Sequence, residues 1–264
     1  MELIDLSHKI LDEAKKVGIQ KENLSGSYFH LDQKTIFSKV NEHFQGKLEM
    51  MDISEALKDP EVEKLKGSLI KEDEYTKEAQ NFSGGYFIRV KRGEIITFPL
   101  QTCLLMAEKE KQRIHNLIIL EEGAEAHIIT GCITNEKMAF SSHIGISEFF
   151  IQKNAKLYFT MLHHFSENAE VFPRSAALID EGGVFVSNYI NLYPVKNLQM
   201  NPKAICRKNA KASFQSVTYS NKNSKLDLGS QIFLEGEKSG GEIVSRSVVK
   251  DSAEVIQRGQ IFGH

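Results

Sequence analysis

The chain has 264 residues, of which 41% are hydrophobic, and a formal charge of −2. That is enough apolar material for one or two cores, and it leaves no global basic field to draw the protein to nucleic acid or to an anionic membrane surface. No uninterrupted apolar run approaches the roughly 20 residues of a membrane span, and residues 1–18 are charged and amphipathic rather than built like a signal peptide, so a cytoplasmic protein is expected.

The first 80 residues read as a mostly helical region. Leu3, Leu6, Ile10, Leu11 and Ala14 fall on one helical face, and Gly18 stops that helix. Ser54, Glu55, Ala56 and Leu57, followed by residues 62–70, give a second helical stretch, with Pro60 as its interruption or new start. The charges between residues 58 and 77 form a solvated face. Ser83-Gly84-Gly85 closes this region, and Tyr86-Phe87-Ile88-Arg89-Val90 opens a strand-rich body over residues 81–264.

Within that body one phrase recurs: a short apolar strand, two polar residues, a Gly or Asn, then a small residue. It reads Leu-Ile-Ile-Leu-Glu-Glu-Gly-Ala at 117–124, Phe-Phe-Ile-Gln-Lys-Asn-Ala at 149–155 and Ala-Ala-Leu-Ile-Asp-Glu-Gly-Gly at 176–183. Two further copies stand at 203–210 and 247–253. Ala124, Ala155, Gly183 and Ala210 are separated by 31, 28 and 27 residues, the signature of stacked solenoid coils. Gly123, Asn154, Gly182 and Asn209 take the sharp corners, since Gly and Asn tolerate positive φ best. One such coil cannot bury its own apolar face, so each must stack on its neighbours. The fold class is therefore mainly β, a right-handed parallel β-helix behind a small helical N-terminal region, with a β-sandwich or barrel as the alternatives. The fifth interval fits worst, because Gly240 and Gly241 interrupt it and Ala253 follows only about half a coil later.

Several ordered motifs give the chain a resemblance to a known family. Gly85-Tyr86-Phe87-Ile88-Arg89-Val90, His115-Asn116-Leu117-Ile118-Ile119, Ile128-Ile129-Thr130-Gly131-Cys132 and His143-Ile144-Gly145-Ile146-Ser147-Glu148-Phe149 come first. Arg174-Ser175-Ala176, Ser187-Asn188-Tyr189 and Glu242-Ile243-Val244-Ser245-Arg246 continue in the same order. In this register the chain resembles the SufB/SufD family from about residue 80 onward, most closely its shorter archaeal-type members. The resemblance implies a non-enzymatic scaffold for iron–sulfur cluster assembly. It would work with an ABC-type ATPase, SufC, and a second SufB/SufD-type subunit, and would carry a transient iron–sulfur cluster.

Iron and sulfide bind soft thiolates and imidazoles, and a persulfide is carried on a cysteine sulfur. By the resemblance, Cys132 matches a cysteine at which sulfur is taken up, although the family's Glu-Gly-Cys-Thr is here Thr130-Gly131-Cys132-Ile133. Its place after Gly131 suggests the end of a strand; the competing reading is a small buried hydrophobe. His163 occupies a Gln or His position and Phe165 a Trp position beside the supposed sulfur route, and Arg174 matches a basic position. His163 and His164 must face opposite sides of a strand, so at most one can join Cys132. His127 and His143 flank Cys132 in sequence without a recognised metal spacing. Cys206 shares the slot of Leu120, Ile151, Ile179 and Val249 and should pack inside the coil, and Cys103 lies in an apolar strand. The three cysteines are an odd number without C-x-x-C spacing, which argues against a disulfide framework or a zinc finger.

Family members also carry a further coil and ATPase-docking helices beyond residues 257–260, which this sequence lacks, so its last coil is expected to be covered by a partner or a second copy. A non-catalytic structural interaction module, or a carbohydrate-binding or -cleaving β-helix, would be the alternative functions. The latter needs a cluster of carboxylates, and Asp180-Glu181 belong to a turn.

Overall fold

The computed structural model describes residues 8–20, 24–135 and 138–263. The first helix, α1 (His8–Lys15), ends where Gly18 takes φ +78°, the left-handed conformation that closes helices. Leu3 and Leu6, assigned to its apolar face, lie outside the described residues, as do the side chains of Ile10 and Leu11. Ala14, Val17 and Ile19 are buried against Phe29, Cys103 and Ile133.

The region before residue 80 is less helical than its sequence suggests. β1 (Gly26–Leu31) and β2 (Lys34–Val40) form an antiparallel hairpin turning at Asp32, φ +53°, and β3 (Leu48–Asp52) follows. Only short helices come next: α2 (Ile53–Ala56), α3 (Pro60–Leu65) and α4 (Glu74–Glu78). Asp52, Asp59 and Asp73 cap them, each side chain accepting from a backbone N–H in the first turn, and Pro60 is the new start anticipated above. Tertiary pairing overrides the helical reading. β1 lies parallel to β5 (Leu100–Met106), and β3 runs antiparallel to β4 (Tyr86–Val90), so these strands complete the sheets of the body.

From β4 onward the chain winds as a parallel β-helix of about six turns. One sheet takes β4, β6 (Lys111–Leu120), β8 (Ser141–Ile151), β10 (Ala169–Val171), β11 (Arg174–Ile179), β13 (Asn197–Met200), β14 (Lys203–Cys206), β16 (Lys225–Leu234) and β18 (Glu254–Gly263). The facing sheet takes β5, β7 (Glu125–Thr134), β9 (Lys156–His164), β12 (Val184–Asn191), β15 (Lys211–Ser220) and β17 (Gly240–Val249). Two turns have their first-sheet strand cut in two, at Pro173 and at Pro202, since proline cannot donate to a ladder.

The repeat spacing becomes the strand register. Leu120 pairs with Ile151, Ile151 with Ile179 and Ile179 with Cys206, steps of 31, 28 and 27 residues. Gly123, Asn154, Gly182 and Asn209 all have φ between +56° and +71°. Their amides bond the next coil's corner in a continuous ladder: Gly123 to Lys153, Asn154 to Glu181, Gly182 to Lys208 and Asn209 to Glu237. Cys206 next meets Leu234 rather than Val249, and the corner residue of that coil is Lys238, φ +59°. The copy at 247–253 belongs to the opposite corner, where Asp251, φ +57°, stacks over Lys222, φ +56°.

Alternation sorts each strand into an inner and an outer face. On β7, Ala126, Ile128 and Cys132 join the interior core, while Ile133 faces outward to α1. On β8, Phe149 and Ile151 point in, and Ile144 and Ile146 point out toward Tyr75 and Phe172. No helix among the described residues is long and apolar enough to cross a membrane.

Candidate functional site

One interior row holds most of the polar chemistry. Following the strand register across the second sheet, His30, Leu104, Cys132, His163, Asn191 and Thr218 are successive neighbours on β1, β5, β7, β9, β12 and β15. Neighbours in a parallel sheet project to the same face, so Cys132 and His163 point into the column side by side. His164 points the other way and packs on Tyr193, with ring centroids 3.7 Å apart.

The row is tightly enclosed. Cys132 is 1% exposed and His163 3% exposed. His163 Nδ1 lies 2.9 Å from Tyr189 Oη, while its Nε2 is buried without a hydrogen-bond partner. Phe165 packs edge-on to His163 at 4.7 Å. From the opposite sheet His143 faces His163 with ring centroids 6.4 Å apart, and His143 Nδ1 lies 3.0 Å from Gln112 Oε1. Beside Cys132, a hydroxyl chain links Tyr86, Thr130 and Thr102 at 2.9 and 2.8 Å.

Burial sets the charge state of this row. It pushes the Cys132 thiol up to about 12 and holds His163 well below its ordinary range, helped by the nearby His143. His143 is pushed down to about 4 by burial, with His30 adding to the effect. At neutral pH the row is a protonated thiol among uncharged imidazoles, a combination with low nucleophilicity. Imidazole beside thiol is nonetheless the pairing that, once wetted, can take the thiol proton and leave a soft sulfur donor. Among the described residues no group of three or more His, Cys, Asp or Glu converges to hold a metal ion. The row presents a sulfur handle rather than a complete ligand set.

The sequence-derived candidates therefore separate. Cys132 and His163 come together; Arg174 does not join them. Its guanidinium lies on the outer face of the first sheet, where Nε meets Asp73 Oδ2 at 2.6 Å and the ring of Tyr75 lies 4.7 Å beneath it. Arg174 is the first residue of β11 and pairs in register with outward-facing Ile146, which is why it cannot reach the interior. Cys132 is also not at a strand end, since β7 continues to Thr134. Gly131 serves packing instead: a Cβ there would lie 2.2 Å from Val17 Cγ2, so α1 could not close over the sheet. His127 is exposed and stacked on Tyr158 at 4.4 Å. Cys206 packs inside the column as expected, and Cys103 lies under α1.

One buried polar pair has no counterpart in the sequence reading. On the outer face of the first sheet, His115 Nε2 lies 2.9 Å from Glu148 Oε2, and Glu148 also accepts from the backbone N–H groups of Gly67 at 2.5 Å and Leu69 at 2.9 Å. This fully buried carboxylate ties the segment after α3 onto the sheet, a fastening role.

Comparison with known proteins bears on this geometry. Residues 103–263 match the family described as "SUF system FeS cluster assembly, SufBD core domain". An iron–sulfur cluster assembly SufBD family protein of Archaeoglobus fulgidus is 42% identical over 96% of this chain and 69% of its own length. One from Methanothermobacter thermautotrophicus is 36% identical over 98% of this chain and 65% of its own length, and one from Pyrococcus horikoshii is 31% identical over 68% and 41%. The chain thus spans about two thirds of the length of the first two. With the repeat read as register, the thiol and imidazole on one interior row, and these matches across nearly the whole sequence, the chain belongs to the SufBD family.

Proposed function

We propose that this chain is a scaffold subunit for iron–sulfur cluster assembly that itself hydrolyses nothing. It works in the cytoplasm with a SufC-like ATPase and a second SufB/SufD-type subunit. The observation that carries this reading is the adjacency of Cys132 and His163 on the interior row of a column whose family is described by cluster assembly. In this reading Cys132 receives sulfur from a persulfide-bearing donor. A new S–S bond forms at Cys132 Sγ as the donor's S–S bond breaks, the donor leaves as its thiolate, and His163 takes up the Cys132 proton. A transient cluster is cargo, and the ligands that one thiol and one imidazole leave missing come from the second subunit. The buried, protonated thiol fits a resting state protected from oxidation, with delivery coupled to an opening that the ATPase drives.

The test is anaerobic co-expression with the ATPase and the second subunit, followed by absorbance and iron analysis. A coloured complex containing iron and sulfide is expected. A stable but colourless complex, still lacking iron after incubation with a sulfur donor and ferrous iron, would favour an interaction module instead.

A further inference from the structure

The ladder of the first sheet is interrupted where proline cuts its strands. β10 pairs with β13 and β11 with β14, but the ladder skips the stretch between them, where residues 172–175 face residues 199–202. Pro173 and Pro202 sit in the two facing segments and contribute no N–H. The carbonyl of Gln199 is instead met by the side chain of Arg174, whose Nη1 donates to it at 2.9 Å and to Pro173 O at 3.2 Å. A guanidinium thus fills a hole in the backbone pairing.

Cavities lie on both sides of this hole. Outside it, a groove of about 760 Å³ runs from residues 69–73 across the sheet to Arg258, with Arg174 and Lys203 on its floor. Asp73 holds Arg174 and Asp227 holds Arg258, whereas Lys203 makes no ion pair among the described residues. Behind the hole lies a small, partly open cavity of about 20 Å³, room for one water-sized species, lined by Ser187, Tyr189, Ser216, Ser230 and, toward the exposed last coil, Ser245. Met200 borders both spaces and is 7% exposed. The inner cavity reaches Tyr189, whose hydroxyl meets His163, the neighbour of Cys132. Methionine is unbranched and adaptable, so of all core residues it obstructs such a gap with least rigidity.

We propose that this break is a side portal. Lys203 collects a small inorganic anion in the groove, and displacement of Met200 admits it to the Tyr189–His163–Cys132 row. That the natural anion is hydrosulfide, entering as sulfide for the cluster and not as the persulfide sulfur of Cys132, rests on the cluster-assembly reading; the portal itself does not. A positively charged mouth concentrates anions, and the serine and tyrosine hydroxyls behind it offer the donors an incoming anion needs.

The test is chemical modification of the intact chain by small methanethiosulfonate reagents, neutral, anionic and cationic, with each cysteine followed separately by peptide mass spectrometry. Met200→Ala is expected to speed modification of Cys132 about tenfold, equivalent to about 1.4 kcal/mol on the opening step, without changing Cys103. Lys203→Gln, an outward-facing change that keeps Met200, should lower the anionic-to-cationic rate ratio at Cys132. Equal acceleration at Cys103 and Cys132 would mean general loosening. That result, no acceleration, or a ratio indifferent to Lys203 overturns the portal. Because labelling needs no cluster, a positive result here alongside a colourless complex in the assembly experiment would retain the portal and reject hydrosulfide as its cargo.

Discussion

Cys132→Ser is expected to lower cluster assembly by about two orders of magnitude or more while leaving the column standing, because a hydroxyl oxygen cannot form or carry the S–S bond on which persulfide transfer depends. The substitution is nearly isosteric and keeps a polar group within reach of the Tyr86–Thr130–Thr102 hydroxyl chain, so the expected stability loss is about 1 kcal/mol. Cys206→Ser supplies the contrast. That thiol is equally buried, but it stacks in the apolar row of Leu120, Ile151 and Ile179, where no imidazole stands beside it. Assembly should therefore survive Cys206→Ser and fail with Cys132→Ser, as read by iron and acid-labile sulfide per complex. Equal survival of both variants would remove Cys132 from the proposed chemistry.

Mild acid is expected to destabilise the protein through its interior histidines. His143 titrates near 4 in the folded chain and near 6.5 when unfolded, so between those values the unfolded chain holds the proton that the folded one refuses. A histidine depressed in this way contributes stability that is fully present above pH 6.5 and is lost as pH falls toward 4. For His143 alone the loss is about 3 kcal/mol across that window, and His163, also held low, acts in the same direction. Urea midpoints measured from about pH 7 down to about pH 4.5 should fall steeply in the native chain. His143→Gln, which can keep the contact with Gln112, should flatten the curve. An unchanged slope would show that His143 is not buried and neutral as described.

What was legible in the sequence and what was not divides along physical lines. Local turn chemistry was legible: Gly123, Asn154, Gly182 and Asn209 announce positive φ, and their spacing is the coil register. The corner at Lys238 has no such signal, since lysine says nothing about φ, and the phrase at 247–253 marks the opposite corner, which uses the same backbone conformation. The hairpin of β1 and β2 carries no local signal, because its turn is Asp32-Gln33 rather than Asn-Gly and it owes its stability to pairing with β5, far along the chain. The placement of Cys132 beside His163 follows from alternation plus the 31-residue register, and was half visible in the opposition of His163 and His164. Arg174 could not be placed by composition or motif, because its position depends on the break at Pro173. The His115–Glu148 pair depends on residues 67 and 69 folding back over the sheet, a tertiary event with no local signature.

On the last two strands the apolar side chains of Val248, Val249, Ile256, Ile261 and Phe262 are exposed.

The most direct test of the account is to incubate the complex anaerobically with a persulfide donor and locate the transferred sulfur by peptide mass spectrometry. The account predicts one or more added sulfur atoms on the peptide carrying Cys132, with transfer slowed in His163→Ala. Sulfur found only on Cys103 or Cys206, or on no cysteine of this chain while the complex still assembles clusters, would contradict it.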